Sequence, residues 1–554
     1  MEKIKTTKNK KSNVYLTWII LGMVVGILLE CLLTVRAGCL GEWQERTILD
    51  LESMINEEKL ELTDCTVEDG SILSEDANSM MIFHGTQDWG QIRLTFREPV
   101  TGPATAEWYN SPSEDDKFDR FRRQEGYIMQ GKDKAKINLS GKDNGNLRLN
   151  IHGNFRLGSI EVAERISVKA LSFGIILGHF NWLRLILFMF LGASGFCLLK
   201  KERKQTKTET RHVSKKEKRY VYLDGIRILA AILVIIVHVI EPLALLYPMG
   251  SKRYILLKLL SAVSLSCNLL FVMISGALLL EWKEEGWAAF FKKRFLKVLI
   301  PLAVYGMLYE KGCCISQTDL FSWIRHSIQT FISGDFTKGP HLWLIYVLLG
   351  LYITVIPFRY MLREMKEPAK KALAVMILIC LSVNTYGKIS GQEIGISVFL
   401  GNWPGIFLMG YLINQTWMRK YDKALLGAGM AAFAVSGWIV TVRENCMDVI
   451  ANQSILSMLM ASAIYVIFLH GDQLLAPGRK VLASISRYSY SIILIHWYIL
   501  IRVVHNGWFH SGMNQYLQVI LPILWCALLS VVSSWVIDRF LVDIILERLK
   551  NIKC

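Results

Sequence analysis

Missing motifs narrow this sequence before anything present in it does. The 554 residues contain no GxxxxGK[ST] phosphate loop, which argues against ATP-driven transport. They contain neither a GxSxG nucleophile elbow nor an HExxH zinc helix, so two common hydrolase sites are excluded. Eleven cysteines are scattered with no CxxC pair and no zinc spacing, and no metal cofactor is expected. Most of them lie in apolar runs, where cysteine is a small apolar filler. No internal repeat is visible.

What the chain has in abundance is apolar residues: 52% are hydrophobic, with a mean hydropathy of +0.32. About twenty apolar residues in a helix span the hydrocarbon core. By that measure there are about twelve candidate spans, near 15–35, 180–200, 222–244, 256–281, 295–311, 341–362, 371–388, 395–414, 424–441, 453–471, 488–504 and 515–543.

The net charge of +16 is unevenly placed. Residues 36–170 carry 24 acidic and 17 basic side chains, a contribution of −7 that leaves +23 elsewhere. Much of the excess sits in MEKIKTTKNKKS at the N-terminus and KKERKQTKTETRHVSKKEKR at 200–219. Both runs abut spans, so the positive-inside rule accounts for them and no nucleic-acid partner is expected. The rule places both runs in the cytoplasm and residues 36–170 outside, for a multi-pass protein of the cytoplasmic membrane. The first span, Val14 to Val35, ends in TVRAGCLGEW, a mediocre cleavage site, and reads as a signal anchor. Cys39 and Cys65 fall on the outer side, where they can either pair or remain thiols.

Five segments follow. Residues 1–35 are a basic cytoplasmic tail and the signal anchor. Residues 36–170 are an extracytoplasmic domain, and 171–217 a return span with a basic cytoplasmic linker. Residues 218–548 are a membrane block with ten candidate helices, and 549–554 a cytoplasmic tail. The expected fold is thus an α-helical polytopic membrane protein with an N-terminal, mainly β outer domain. That domain opens on a helical-looking TILDLESMINEEK. IRLTF, AKINL, LRLNI and SIEV then alternate apolar and polar residues as half-buried strands do, with turns such as GKDNGN between them. A small β-sandwich is expected. LRLNIHGNFRLGSIEV loosely resembles carbohydrate-binding-like β-sandwiches of some envelope enzymes; a spacer or docking module fits the segment equally.

The most informative stretch is RYVYLDGIRILAAILVIIVHVIEPLALL, 219–246. Ionisable residues inside a span are costly and by default functional candidates, and here Asp224, Arg227, His238 and Glu241 share one helix. The eleven residues from Arg227 to His238 make almost three turns, so both lie on one face, about 16 Å apart along the axis. Asp224 precedes Arg227 by three and Glu241 follows His238 by three, so each pair can touch. Arg227 lies near the cytoplasmic boundary, where its guanidinium can fork a phosphate. His238 lies near mid-membrane, where an imidazole can take a proton from an acceptor hydroxyl as general base. Glu241 is expected to orient it. Snorkelling of Arg227 and an interhelical hydrogen bond from His238 are the structural alternatives.

YLDGIRILAAILVIIVH resembles the opening helix of the acyltransferase family 3 membrane proteins, with their Arg-x10-His signature. The similarity continues in order. LLFVMISGALLL, 269–280, resembles the family's FxxISG segment, and FFKKRFLKVLIPLAVY, 290–305, its basic loop and Pro-containing helix. HLWLIYVLLGLYITVIPF, 341–358, resembles the branch containing the enterobacterial common antigen O-acetyltransferase. FLMGYLI, 407–413, and ISRYSYSIILIHWYIL, 485–500, resemble the late helices. The resemblance implies a catalytic role for His238 and donor handling by Arg227, with Asp224 beside it. It implies that Arg294 opens the cytoplasmic basic motif, whose second Arg stands here as Lys297, a point charge without the fork. It places Ser275 and Gly276 in the ISG turn, with close helix packing as the other reading. It puts His341 and Trp343 at the outer edge, near the acceptor entrance or in an aromatic belt. His496 is a second polar site or a structural bonder.

The expected activity is transfer of an acyl group, first of all acetyl, from cytoplasmic acetyl-CoA or another acyl-CoA. The acceptor is a hydroxyl of a cell-envelope glycan or lipid-linked saccharide. The alternative is a lipid-glycan translocator built on the same polar core. It requires paired broken helices at the midplane, for which GNWPGIF, 401–407, is one candidate.

Overall fold

The computed structural model describes residues 26–28, 30–74, 79–100, 104–111, 123–139, 145–171, 173–183, 185–186, 220–244, 247–316, 320–334, 339–392, 394, 399–443, 446–504 and 514–551. The two basic runs, most of the spans expected at 15–35 and 180–200, and most of GKDNGN lie outside these residues. The chain divides into two compact units. One holds the residues up to Lys218 and takes in the later segment Lys311–Ile324; the other holds most of the rest.

The first unit is built on a two-sheet sandwich. Its strands are β1 (Thr47–Ile48), β2 (Leu60–Thr63), β3 (Cys65–Glu68), β4 (Ser71–Ser74), β5 (Ser79–His84), β6 (Trp89–Phe96), β7 (Ala104–Ser111), β8 (Arg123–Ile128), β9 (Lys134–Asn138), β10 (Asn146–His152) and β11 (Arg156–Glu164). One sheet runs β3-β4-β11-β6-β9 with β1 beside β11, and the other β2-β5-β10-β7-β8; each of these pairings is antiparallel. The four expected strands are thus β6, β9, β10 and β11. Alternation is the reason: Ile92, Leu94 and Phe96 of one sheet and Leu147, Leu149 and Ile151 of the other turn into a shared core. In TILDLESMINEEK only α1 (Leu51–Asn56) is helical, started by Asp50, whose side chain accepts from the Ser53 N–H. Asp69 and Gly70, with φ of 50° and 66°, form the two-residue hairpin between β3 and β4. Cys39 and Cys65 are free thiols rather than a disulfide.

A segment from far along the chain joins the sandwich. The Ile315 N–H donates to Tyr127 O at 3.0 Å, and Ile315 O accepts from the Lys136 N–H at 2.7 Å. Ile315 therefore bridges β8 of one sheet and β9 of the other, and its side chain joins the core. Gly126 makes room for it, since a Cβ there would lie 2.4 Å from Ile315 Cγ2.

The second unit is helical. Its main elements are α2 (Val221–Ala244), α3 (Lys252–Ser264), α4 (Ser266–Leu279), α5 (Trp287–Cys313), α6 (Trp343–Glu364), α7 (Glu367–Ser390), α8 (Trp403–Leu412), α9 (Asp422–Val442), α10 (Ile455–His470), α11 (Arg479–Ser486), α12 (Ser489–Ile499) and α13 (Gln515–Ile537). Each of the ten apolar stretches expected in this block contains a helix. Among the described residues, six helical stretches are long and apolar enough to cross a membrane, with a seventh if the pair bent by 63° after His470 is one span. The shortfall from ten has local causes. α5 carries Lys292, Lys293, Arg294 and Lys297 in its first half and Glu310 and Lys311 near its end, while α8 and the stretch from Ser489 are short. GNWPGIF is not a break within a helix: Asn402 caps the start of α8, with Pro404 in its first turn. Ser275 and Gly276 lie inside α4 rather than in a turn. A Cβ at Gly276 would lie 1.8 Å from Phe407 O, and one at Gly410 would lie 2.0 Å from Met273 O, so α4 and α8 cross with their backbones in contact.

Candidate active site

Three helices of the second unit carry polar residues at two levels. At the first level is a cavity of about 320 Å³, whose walls include Arg227 of α2, Ser275 of α4, Arg294 and Lys297 of α5, Tyr352 of α6, and Arg487 between α11 and α12. Apolar residues such as Ile345 and Ile493 complete it. Arg227 is half-buried, and its Nη1 lies 3.5 Å from Oδ1 of the buried Asp224. The Ser486 hydroxyl donates to the same Oδ1 at 2.7 Å. Asp224 is not among the residues of the cavity wall; it holds Arg227 and the end of α11 from behind. Arg294 lies against the Phe290 ring at 5.9 Å, and its buried Nε has no partner. Lys297 is exposed. Arg487 Nη2 bonds Asp543 Oδ2 at 2.7 Å. Four cations beside hydroxyl groups around one open cavity suit a polyanion such as a phosphate chain.

At the second level three histidines meet. The His238 ring lies 5.3 Å from that of His496, and His496 lies 4.8 Å from His341. Trp497 stands edge-on to His238 at 4.8 Å. His341 is buried beside Tyr309, whose hydroxyl donates to Leu494 O at 2.9 Å and accepts from the Tyr498 N–H at 2.9 Å. His341 Nε2 is 3.4 Å from both Leu494 O and the Tyr309 hydroxyl. His496 Nδ1 lies 2.7 Å from Ile493 O. His341 Nδ1, His496 Nε2 and Trp497 Nε1 are buried without a partner. His238 is half-buried, and among the described residues nothing hydrogen-bonds its ring. No group of described His, Cys, Asp or Glu residues has the arrangement to hold a metal ion.

The helices join the two levels. α2 runs from Arg227 to His238, and α12 from Ser489, on the cavity wall, to His496. α6 runs the other way, from His341 just before its start to Tyr352 on the wall. Along α2 the eleven residues from Arg227 to His238 cover about 16 Å, whereas along α12 the seven from Ser489 to His496 cover about 10 Å, so the histidine cluster lies two to three turns from the cationic end of the cavity.

The structure thus gathers Arg227, Arg294, Lys297 and Ser275 around one cavity, and His238, His341 and His496 in one cluster. It does not bring Glu241 to His238. Glu241 bonds the Lys258 ammonium at 2.7 Å and the Ser261 hydroxyl, both on α3. The three-residue spacing made contact with His238 possible, but a buried ammonium attracts a carboxylate far more strongly than a neutral imidazole does. Trp343 packs against Trp403 at 5.4 Å and has no ring contact with the cluster. His341 is buried within the helical unit. Two residues escaped the sequence reading. Arg487 is visible there only as one basic residue at the mouth of a span. Tyr309 carries no signal beyond its place near the end of an apolar run.

A search of curated proteins finds no match to this chain. A family of acyltransferase domains matches residues 220–539, which is most of the helical unit and more than half of the chain. That match starts one residue before α2 and runs past the end of α13, so both polar levels fall inside it. The helical unit is therefore an acyltransferase domain, and the chain is a multi-pass membrane protein of the acyltransferase 3 family.

Proposed function

We propose that this protein transfers an acyl group, first of all acetyl, from acyl-CoA to a hydroxyl of a cell-envelope glycan or lipid-linked saccharide, with His238 as general base. The observation that carries this reading is the course of α2, α6 and α12 between a cationic cavity and a cluster of three histidines. Arg227, Arg294, Lys297 and Arg487 hold the phosphates of the donor, and Asp224 keeps Arg227 in position. The pantetheine arm runs along the helices and brings the thioester to the cluster. There His238 takes the proton of the acceptor hydroxyl as its oxygen bonds to the acyl carbon. The thiolate leaves and recovers that proton. His341 and His496 line the acceptor side, Ser275 belongs to the donor side, and Trp343 stands outside both. In this reading the cavity opens to the cytoplasm, the sandwich lies outside the cytoplasmic membrane, and acceptors arrive from the outer face or within the bilayer.

The test is label transfer from radiolabelled acetyl-CoA to an envelope lipid extract by the purified protein. His238→Ala is expected to lower the rate by about 10²–10⁴-fold, with donor binding retained. Transfer at the wild-type rate by His238→Ala would remove the base. A wild-type protein that transfers no label but changes lipid exposure across vesicles would favour the translocator.

A further inference from the structure

Glu241 is turned away from His238, and the ring that lies beside His238 instead is that of His496 on α12, with no hydrogen bond formed between the two. His496 Nδ1 lies 2.7 Å from Ile493 O and 3.3 Å from Ile492 O. A carbonyl oxygen only accepts, so Nδ1 carries the proton, and in the neutral ring Nε2 is a bare lone pair. That nitrogen is buried and has no donor, an arrangement that costs free energy until a donor arrives. The His238 and His341 rings lie beside the His496 ring. His341 has no proton to give from its free nitrogen: its Nε2 faces Leu494 O and therefore bears the hydrogen, leaving Nδ1 equally bare. Trp497 is the next residue on the same helix and lies against His238. His238, at 5.3 Å with its ring tilted by 31°, has both nitrogens unengaged among the described residues.

We infer that His496 is the positioning residue for His238, accepting one His238 N–H at Nε2 so that the other nitrogen faces the acceptor hydroxyl. The inference rests on the reading of His238 as base. When the hydroxyl proton moves to His238, the imidazolium keeps its bond to His496 Nε2, and the departing thiolate takes the proton back. A neutral imidazole suits this task in an apolar interior, because a second carboxylate there would have to be desolvated. The one carboxylate close by in sequence, Glu241, is held by Lys258 and Ser261.

The test is a kinetic double-mutant cycle on the full-length protein. His496→Phe is expected to lower kcat at least about tenfold, the low end of what is lost when the partner that orients a metal-bound histidine is removed. KM for acetyl-CoA stays the same. His496→Gln, whose amide oxygen can accept the same hydrogen bond, recovers part of the loss. In a His238→Ala background His496→Phe costs nothing further, because it acts only through His238. Acetyl-CoA binding at the wild-type level shows that each variant is folded, and His496→Gln serves if His496→Phe is not. Wild-type kcat in His496→Phe, or the same loss in both backgrounds, overturns the inference. A fully active His238→Ala strikes the base itself, whereas an inactive His238→Ala beside a fully active His496→Phe strikes only the role of His496.

Discussion

Glu241 and Lys258 tie α2 to α3: the ammonium lies 2.7 Å from the carboxylate, and only about 5% of the Lys258 side chain is exposed. Ser261 donates to the other carboxylate oxygen. Removing one partner strands the other in an apolar interior. Lys258→Met or Glu241→Met should each cost about 2–3 kcal/mol, toward the low end for a buried pair because Glu241 keeps some exposure. The double Met variant should regain much of that loss. Thermal unfolding in detergent measures both. Transfer per folded molecule should stay at the wild-type level, which separates this pair from the catalytic cluster.

The donor cavity predicts graded effects on KM for acetyl-CoA. Losing a charge-assisted hydrogen bond to phosphate costs about 1.5–3 kcal/mol, or roughly 10–150-fold. Arg227→Ala should show the full effect. Arg487→Ala should show less, because Asp543 already shares that guanidinium. Lys297→Arg should lower KM if its longer fork reaches the phosphates. Steady-state kinetics at two salt concentrations check the set, with KM rising as salt screens the cations.

At Gly276 the predicted effect is structural. A Cβ there meets backbone, Phe407 O at 1.8 Å, and not a movable side chain. Gly276→Ala must therefore separate α4 from α8, at a cost of about 3 kcal/mol or more. Loss of folded protein on size-exclusion chromatography, with the neighbouring Ser275→Ala unaffected, is the expected result.

Ile315 should matter to the sandwich. Ile315→Ala opens the core between β8 and β9, with an expected loss of about 2–4 kcal/mol. Limited proteolysis should then cut within residues 123–138 faster than in the wild type. Equal cutting would show that the edge closes without this residue.

The Cys65 thiol gives a pH prediction. Burial pushes its pKa above the ordinary thiol value, and contact with the Ser79 side chain only partly offsets this. Less thiolate is therefore present at neutral pH than on a free cysteine. Alkylation of the native protein should be slow near pH 7 and rise at a pH above the usual thiol range. Mass spectrometry of the denatured, unreduced protein should find label on both Cys39 and Cys65; an intact disulfide would leave both unlabelled.

Much of the fold was legible because it is set by short-range periodicity. β6, β9, β10 and β11 announce themselves as alternating residues, and the helices of the second unit as apolar runs. The Arg227–His238 face needs only the pitch of one helix. In TILDLESMINEEK the sequence suggested one helix, but β1 pairs with β11 and leaves only α1 helical, since strand pairing depends on a segment over a hundred residues away.

By itself the sequence determined that α2 presents an arginine and a histidine on one face about three turns apart, and which segments are apolar enough to be buried in lipid or core. Only the tertiary structure decided who meets them. Glu241 had His238 within reach on its own helix and bonded Lys258 on another, because the stronger electrostatic partner came from packing. His341 and His496 lie 155 residues apart in the chain and 4.8 Å apart in space. The segment around Ile315 left its neighbours in sequence to close a sandwich. Spacing along one helix fixes direction and depth, but contact between elements depends on how whole surfaces pack, and that is a property of the folded chain.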